Sequence, residues 1–342
     1  MTETHMRAEV LDIPAVAARF LAEAGADLAA AARAMRDADP VLVATVARGS
    51  SDHAATYLKY AVELAAGIPV ASIGPSVVSV YRRPLRMERA ICIGISQSGR
   101  SPDIVEMMRG AGAGGALTLA VTNSAGSPMA EVCDHTLALG AGEERSVAAT
   151  KTFVTSVLAG LALVAEWRED DALRTAVAGL PEAFATALGC DWGPLSDRLA
   201  RANSLYVLGR GPAFAIANEV ALKFKETCGI HAESYSAAEV LHGPAALVQA
   251  GFPVLALGVE DAALPGVIAT VERLAGQGAD VFLTASGAGA GVTCLPSVKG
   301  LHPLVAPLAT AVSFYVFIEA LARRRGLDPD APPHLRKVTE TV

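Results

Sequence analysis

The chain repeats itself, and that repetition limits the folds open to it. The stretch LYVLGRGPAFAIANEVALKFK (205–225) aligns on VATVARGSSDHAATYLKYAVE (43–63) at an offset of 162 residues. Arg210-Gly211 then falls on Arg48-Gly49, and a helix-length pattern follows each pair. Further along, ICIGI (91–95) is matched by VLALG (254–258), and LTLAV (117–121) by VFLTA (281–285). A self-match at three apolar runs implies two similar domains in one chain, and 342 residues suit that count.

The runs themselves define the fold class. VLVATVA (41–47), ICIGI, LTLAV and HTLAL (135–139) are apolar without alternation, the signature of parallel strands covered on both faces. Helix-length patterns such as 52–66 and 102–111 lie between them, so the reading is α/β, with two tandem doubly wound parallel sheets in three layers. The expected organisation is a helical segment over 1–38, a first domain over 39–165, a charged and irregular join of linker helices over 166–200, a second domain over 201–325, and an extended tail over 326–342.

Composition removes several classes of function. With 52% hydrophobic and 18% charged residues the chain is not disordered, and a net charge of −7 argues against a nucleic-acid-binding face. The start, MTETHMRAEVLDIP, has no apolar leader core, so no secretory signal is expected. The greasiest stretches, Phe153–Val164 and Leu304–Ile318, are interrupted and shorter than the ~20 residues of a membrane span; they read as core helices. Five scattered cysteines (Cys92, Cys133, Cys190, Cys228, Cys294) show no CxxC spacing. Neither disulfides nor a zinc site is expected, only buried thiols of a cytoplasmic protein.

Three constellations could carry chemistry. In open parallel sheets ligands sit beyond the carboxyl ends of strands, where two loops of the first half fall. Arg48-Gly49-Ser50-Ser51 follows the first strand. Ser96-Gln97-Ser98-Gly99-Arg100-Ser101 follows the 91–95 run and enters a helix whose second or third residue is Pro102. Helix-start amides with clustered hydroxyls suit a phosphate dianion, although Ser-rich turns also cap helices. The second half has Gly258-Val259-Glu260-Asp261 at the corresponding place, so only the first half keeps this cradle. The second constellation is Glu219, Lys223 and Glu226, spaced to line one helix face, followed by His231, Glu233 and His242 before Gly-Pro. Alone, the 219–226 spacing more often marks a solvated charge ladder, and His242 reads equally as a turn residue. The third is Lys337, which alone reads as an exposed tail lysine. No metal-ligand spacing is present.

Together these segments resemble the SIS (sugar isomerase) domain family, whose members include the isomerase half of glucosamine-6-phosphate synthase and stand-alone amino-sugar-phosphate deaminases. The resemblance rests on RGSSDHAA (48–55), SQSGRSPD (96–103), SVAATKTF (146–153), ALKFKETCGIHAESYSAAEVLHGP (221–244) and GLDPDAPPHLRKV (326–338). It implies flavodoxin-like SIS domains and a role for each matching residue. Ser51, Ser96, Gln97, Ser98 and Ser101 would bind the sugar 6-phosphate, with Gly49 and the Val147 backbone toward the sugar. Glu226 would be the base moving a proton between C1 and C2, beside Lys223. His242 would open the ring across a homodimer interface, in a shared active site. Lys337 would form an imine with the open keto-sugar.

The chain departs from the synthase pattern at Ala149 and at Arg100-Ser101, where the synthase has a serine and a Glu-Thr pair. No glutaminase domain is expected before it. The implied activity is glucosamine-6-phosphate deamination to fructose 6-phosphate and ammonia, with no metal or organic cofactor. A fructosamine-6-phosphate deglycase and a non-catalytic sugar-phosphate sensor are the alternatives. Gluco or galacto preference stays open.

Overall fold

The computed structural model describes residues 3–337; residues 338–342 of the expected tail lie outside the described residues. Three helices open the chain: α1 (His5–Leu11), α2 (Ile13–Glu23) and α3 (Gly25–Ala38). The first sheet follows with β1 (Leu42–Val46), α4 (Ser50–Ala66), β2 (Val70–Ser72), α5 (Ser76–Ser79), β3 (Ala90–Ile95) and α6 (Pro102–Ala113). It is completed by β4 (Leu117–Thr122), α7 (Pro128–Val132) and β5 (His135–Ala138). Four helices come next: α8 (Lys151–Arg168), α9 (Asp171–Ala178), α10 (Leu180–Ala187) and α11 (Gly193–Leu199). The second sheet has β6 (Ser204–Gly209), α12 (Pro212–Cys228), β7 (His231–Ser236), β8 (Pro253–Ala256), α13 (Leu264–Gly276), β9 (Asp280–Leu283) and β10 (Val292–Cys294). Helix α14 (Ala306–Arg324) comes last.

These elements form two compact units. Of the described residues, the first-sheet unit holds 15–144, 151–179 and 336–337. The second-sheet unit holds 3–14, 145–150 and 180–335. Both sheets are parallel throughout and share one strand order, β2-β1-β3-β4-β5 in one and β7-β6-β8-β9-β10 in the other. This is the flavodoxin-like order that the family resemblance implied.

Strand alternation gives each sheet two apolar faces. In the first-sheet unit Ala44, Val46, Cys92 and Ala120 pack with Ile104 and Met108 of α6, while the opposite face meets α3, α4 and α8. Helix α8 is buried at every residue from Lys151 to Ala165, as expected of a helix apolar on all sides. In the second-sheet unit Leu208, Val254 and Leu283 pack with Val267, Val271 and Leu274 of α13. On its other face α12 packs against α14. There Phe224, Phe314, Phe317 and Trp192 stack with ring centroids 5.3 to 6.3 Å apart. By length and composition α14 is apolar enough to cross a membrane, but most of it is buried inside this unit as a core helix.

The duplication is visible in the backbone. Helices α4 and α12 both have 17 residues and start 162 residues apart. Each is entered through a glycine in a conformation closed to side-chain-bearing residues: Gly49 at φ 57°, ψ −134° and Gly211 at φ 58°, ψ −138°. Each ends on a left-handed glycine, Gly67 or Gly229.

Helices α9, α10 and α11 lie within the 166–200 join. Two expectations need correction. Pro102 is the first residue of its helix rather than the second or third. The cysteines are not uniformly buried: Cys92 and Cys228 are, Cys133 and Cys190 are half-buried, and Cys294 is exposed. Burial pushes the Cys92 thiol up to about 12, and those of Cys133 and Cys228 to about 11.

Candidate functional site

The first-sheet unit presents its polar loops at the carboxyl ends of β1 and β3. After β1, Gly49 accepts the Asp52 and His53 amides at 2.9 and 3.3 Å, which turns the chain directly into α4 and sets half-buried Ser51 in its first turn. Burial pushes the Asp52 carboxyl up, against the pull of His53 and Arg48. After β3 the chain curls tightly. The Ser96 amide donates to Val121 O at 3.1 Å, and buried Ser96 Oγ accepts the Gly99 amide at 3.2 Å. Gln97 O accepts the Asn123 amide at 3.1 Å, and Ser98 Oγ accepts the Arg100 amide at 3.3 Å. Gly99 has φ 61°, and a Cβ there would collide with the Ser127 side chain. That close approach requires glycine.

The capping explanation of this loop fails at its decisive residue. Ser101 occupies the N-cap position of α6 but makes no side-chain capping bond. The two loops are tied together by Arg48, whose Nη2 lies 2.9 Å from Oδ2 of Asp103, a carboxylate only 2% exposed in the first turn of α6.

The second-sheet unit overturns the solvated-ladder reading. The Glu219 and Lys223 side chains are 1% and 0% exposed, and Glu226 is 20% exposed. Lys223 Nζ lies 3.2 Å from Glu219 Oε1 and 2.5 Å from Glu226 Oε2. Tyr315 of α14 donates its hydroxyl to Glu219 Oε1 at 3.0 Å. Burial alone would push the Lys223 ammonium down, but Glu219 and Glu226 outweigh it and hold its pKa above the ordinary lysine value. The Lys223 ammonium is therefore held between two acidic side chains in a buried row. Only Glu226 opens outward, onto a cavity of about 660 Å³ lined also by Leu222, Thr227, Leu327, Pro333 and Leu335.

His242 ends a 3-10 turn (Glu239–His242) and is exposed. Among the described residues no hydrogen bond or ion pair joins it to the 219–226 row. His231 is also exposed, and Glu233 accepts the Tyr235 hydroxyl at 3.0 Å. No group of three or more metal-ligating side chains occurs among the described residues. The Val147 amide donates to Asp330 O at 3.3 Å. Lys337 is not a free tail lysine, because its Nζ lies 2.7 Å from Glu144 Oε2.

Several polar residues of this framework were not legible beforehand. Glu9 of α1, itself buried, accepts Ser146 Oγ at 2.6 Å together with the Arg145 and Ser146 amides. The Asp330 carboxylate accepts the His5 and Met6 amides at 2.7 and 2.8 Å. Through these bonds α1 fixes both the irregular 145–147 segment and the chain after α14. Each is a single acid whose partner is more than a hundred residues away, and no local pattern marks such a pair.

The fold and these sites define a duplicated doubly wound α/β protein with a hydroxyl-lined helix start in one unit and a buried carboxylate–lysine row in the other. The chain belongs to the SIS domain family, whose model matches residues 36–166 and 198–286. It is 34% identical over 325 residues to the glutamine–fructose-6-phosphate aminotransferase (isomerizing) of Symbiobacterium thermophilum, covering 90% of this chain and 52% of that protein. The chain thus spans about half the length of the curated relatives it matches. Among solved structures, a candidate phosphosugar isomerase from Silicibacter pomeroyi superposes with a TM-score of 0.93 at 52% identity, covering 96% of this chain and 100% of that one. A glucosamine-6-phosphate deaminase from Thermotoga maritima shares the fold at 21% identity, with a TM-score of 0.79 and coverage of 99% and 100%.

Proposed function

We propose that the protein is an amino-sugar-phosphate deaminase of the phosphosugar isomerase type, converting glucosamine 6-phosphate and water to fructose 6-phosphate and ammonia. The observation that carries this reading is the buried 219–226 row, in which a single carboxylate, that of Glu226, is left accessible. Binding a phosphate needs no such row. A reaction that moves a proton between adjacent carbons needs one accessible base held in a fixed orientation.

In this reading Ser51, Ser96, Gln97, Ser98, Ser101 and the first-turn amides of α6 hold the phosphate, and Gly49 and Val147 line the sugar with backbone. His242 of a second copy of the chain opens the ring, since an imidazole exchanges protons near neutrality. Glu226 takes the C2 proton and returns it to C1, passing through an enolamine. Lys223 holds that carboxylate in orientation and charge. The resulting C2 imine takes up water and releases ammonia. Phosphate binding, remote from the reacting carbons, supplies orientation.

The test is ammonia release by the purified protein from glucosamine 6-phosphate, with galactosamine 6-phosphate in parallel. Glu226→Gln should bind the substrate and release none. An inactive wild type that still binds several sugar phosphates would favour a sensor instead.

One observation supports a second reading. The cavity of about 660 Å³ at Glu226 is walled in part by Leu222, Leu327 and Leu335. An amine carrying an apolar or amino-acid substituent suits such walls, which is the substrate of a fructosamine-6-phosphate deglycase. Turnover of N-substituted fructosamine 6-phosphates above glucosamine 6-phosphate would select it.

A further inference from the structure

The first-sheet unit contains a buried acid that the proton transfer above does not use. Glu144 lies in the GAGEER turn (140–145) between β5 and α8, and its side chain is 0% exposed. It accepts the Thr152 amide at 3.1 Å and the Thr152 hydroxyl at 2.7 Å, so the start of α8 faces one side of the carboxylate. Lys337 Nζ approaches Oε2 at 2.7 Å, the same oxygen that accepts the Thr152 hydroxyl. Residues 333–336 are exposed, and the chain then turns Lys337 inward to a side chain 25% exposed. The other charged residues of the turn are Glu143, Arg145 and Lys151, the last buried at the first position of α8.

A carboxylate with no solvent access is costly unless it is paired and hydrogen-bonded. Simple anchoring of a tail requires no acid at that depth. The arrangement has a property that anchoring leaves unused: a proton can pass from ammonium to carboxylate without creating net charge in a poorly solvated place. Transfer to bulk water would leave the buried carboxylate facing a neutral amine instead of an ammonium. Thr152 can follow the change, because a hydroxyl that donates to a carboxylate can turn and accept from a carboxylic acid.

We propose that Glu144 is the positioning and proton-accepting partner of Lys337 in imine formation with the open-chain ketose phosphate. This rests on the deaminase reading and on the imine-forming role that the family resemblance implies for Lys337. The Nζ ammonium has no lone pair, so its proton first passes to Glu144 Oε2. The freed Nζ pair adds to the ketose C2, the carbonyl π pair moves to oxygen, and the addition product becomes a carbinolamine. Glu144 then returns its proton to the C2 hydroxyl, which leaves as water, and the nitrogen pair closes the iminium. The sum is one ammonium and one ketone giving one iminium and one water, with Glu144 regenerated as carboxylate.

The experiment is reductive trapping of fructose 6-phosphate on Lys337 with cyanoborohydride, read by peptide mass from mildly acid to mildly alkaline pH. Wild type should be trapped at a rate nearly independent of pH. Glu144→Gln should be trapped about a hundredfold more slowly at neutral pH and regain rate as pH rises and solvent base takes over. Glu144→Asp should recover part of the neutral-pH rate, and Lys337→Arg should give no adduct. Should Glu144→Gln fail to fold, Thr152→Val keeps the acid, removes its hydroxyl partner and should slow trapping several-fold. Equal rates and equal pH profiles in wild type and Glu144→Gln would overturn the role given to Glu144. Absence of any wild-type adduct would overturn the imine step itself. Ammonia release with loss in Glu226→Gln is scored separately, so either failure is distinguishable from failure of the deaminase reading.

Discussion

Helices α4 and α12 descend from one repeat and share length and both glycine caps, yet they carry different cargo. Where α12 has Glu219, Lys223 and Glu226, the positions 162 residues earlier on α4 are Tyr57, Ala61 and Leu64. Tyr57 and Ala61 are buried, and Leu64 is 65% exposed. The loops show the opposite asymmetry. The Ser98-Gly99 position of the first-sheet unit corresponds to the acidic pair Glu260-Asp261 in the second, where Asp261 serves the Ala263 amide and Glu260 pairs with Lys299. In the proposed reading one copy keeps the anion cradle and an inert helix, and the other keeps the reactive carboxylate beside an acidic loop. A duplicated scaffold can thus specialise each copy by losing one function from each.

The two copies also use different ends of their sheets. The serine loops lie at the carboxyl ends of β1 and β3, where the general rule for open α/β sheets puts ligands. Glu226 comes third from the end of α12, fifteen residues beyond Gly211. At 1.5 Å per residue that is roughly 22 Å along the helix, back toward the amino ends of the strands of its own sheet. The rule finds the first set of residues and misses the second.

The largest test of this division is Glu226→Gln, which should lower ammonia release by about 10² to 10⁴-fold while phosphate-ligand binding survives. Steady-state turnover alongside calorimetric binding checks it, and equal loss of both would place Glu226 in the binding role instead. Next comes Lys223→Met, which leaves two carboxylates facing each other in a buried row. It should cost about 3–5 kcal/mol in denaturant unfolding. The pH dependence has a definite sign. Because the folded-state pKa of Lys223 is raised above 10.5, its contribution is fully present below the ordinary lysine value and is lost only as pH climbs through the raised value. Wild-type stability should therefore show no Lys223 titration near neutrality.

Smaller effects sharpen the same contrast. Ser98→Glu copies the acidic residue of the second loop into the first and should raise KM about a hundredfold or more through like-charge repulsion, leaving the melting temperature close to wild type. Leu64→Lys places a charge at the α4 counterpart of Glu226. Being exposed, it should change stability by less than about 0.5 kcal/mol and turnover not at all. Last, a thiol reagent at neutral pH should label exposed Cys294 well before Cys92 and Cys228, whose thiols burial holds near 12 and 11.

Much of this was written in local sequence. The apolar runs of β1, β3, β4 and β6 and the glycine punctuation of α4 and α12 are short-range signals. The serine loops and the 219–226 spacing carry the family resemblance. The remainder depends on packing. Strand β7 reads HAESYS, a polar edge strand with no apolar run to announce it, and β2 and β10 have three residues each. Spacing put Glu219, Lys223 and Glu226 on one face but left burial undecided; Tyr315, 96 residues beyond Glu219, decides it. Glu144 and Lys337 are 193 residues apart, and no window of sequence contains both.

Hydrogen exchange at C1 of fructose 6-phosphate in heavy water, followed by NMR, probes most directly whether a single side chain moves the proton. Wild type should wash deuterium into C1, and Glu226→Gln should leave the ketose unlabelled while still binding it. Deuterium entering at the wild-type rate in Glu226→Gln would contradict the account.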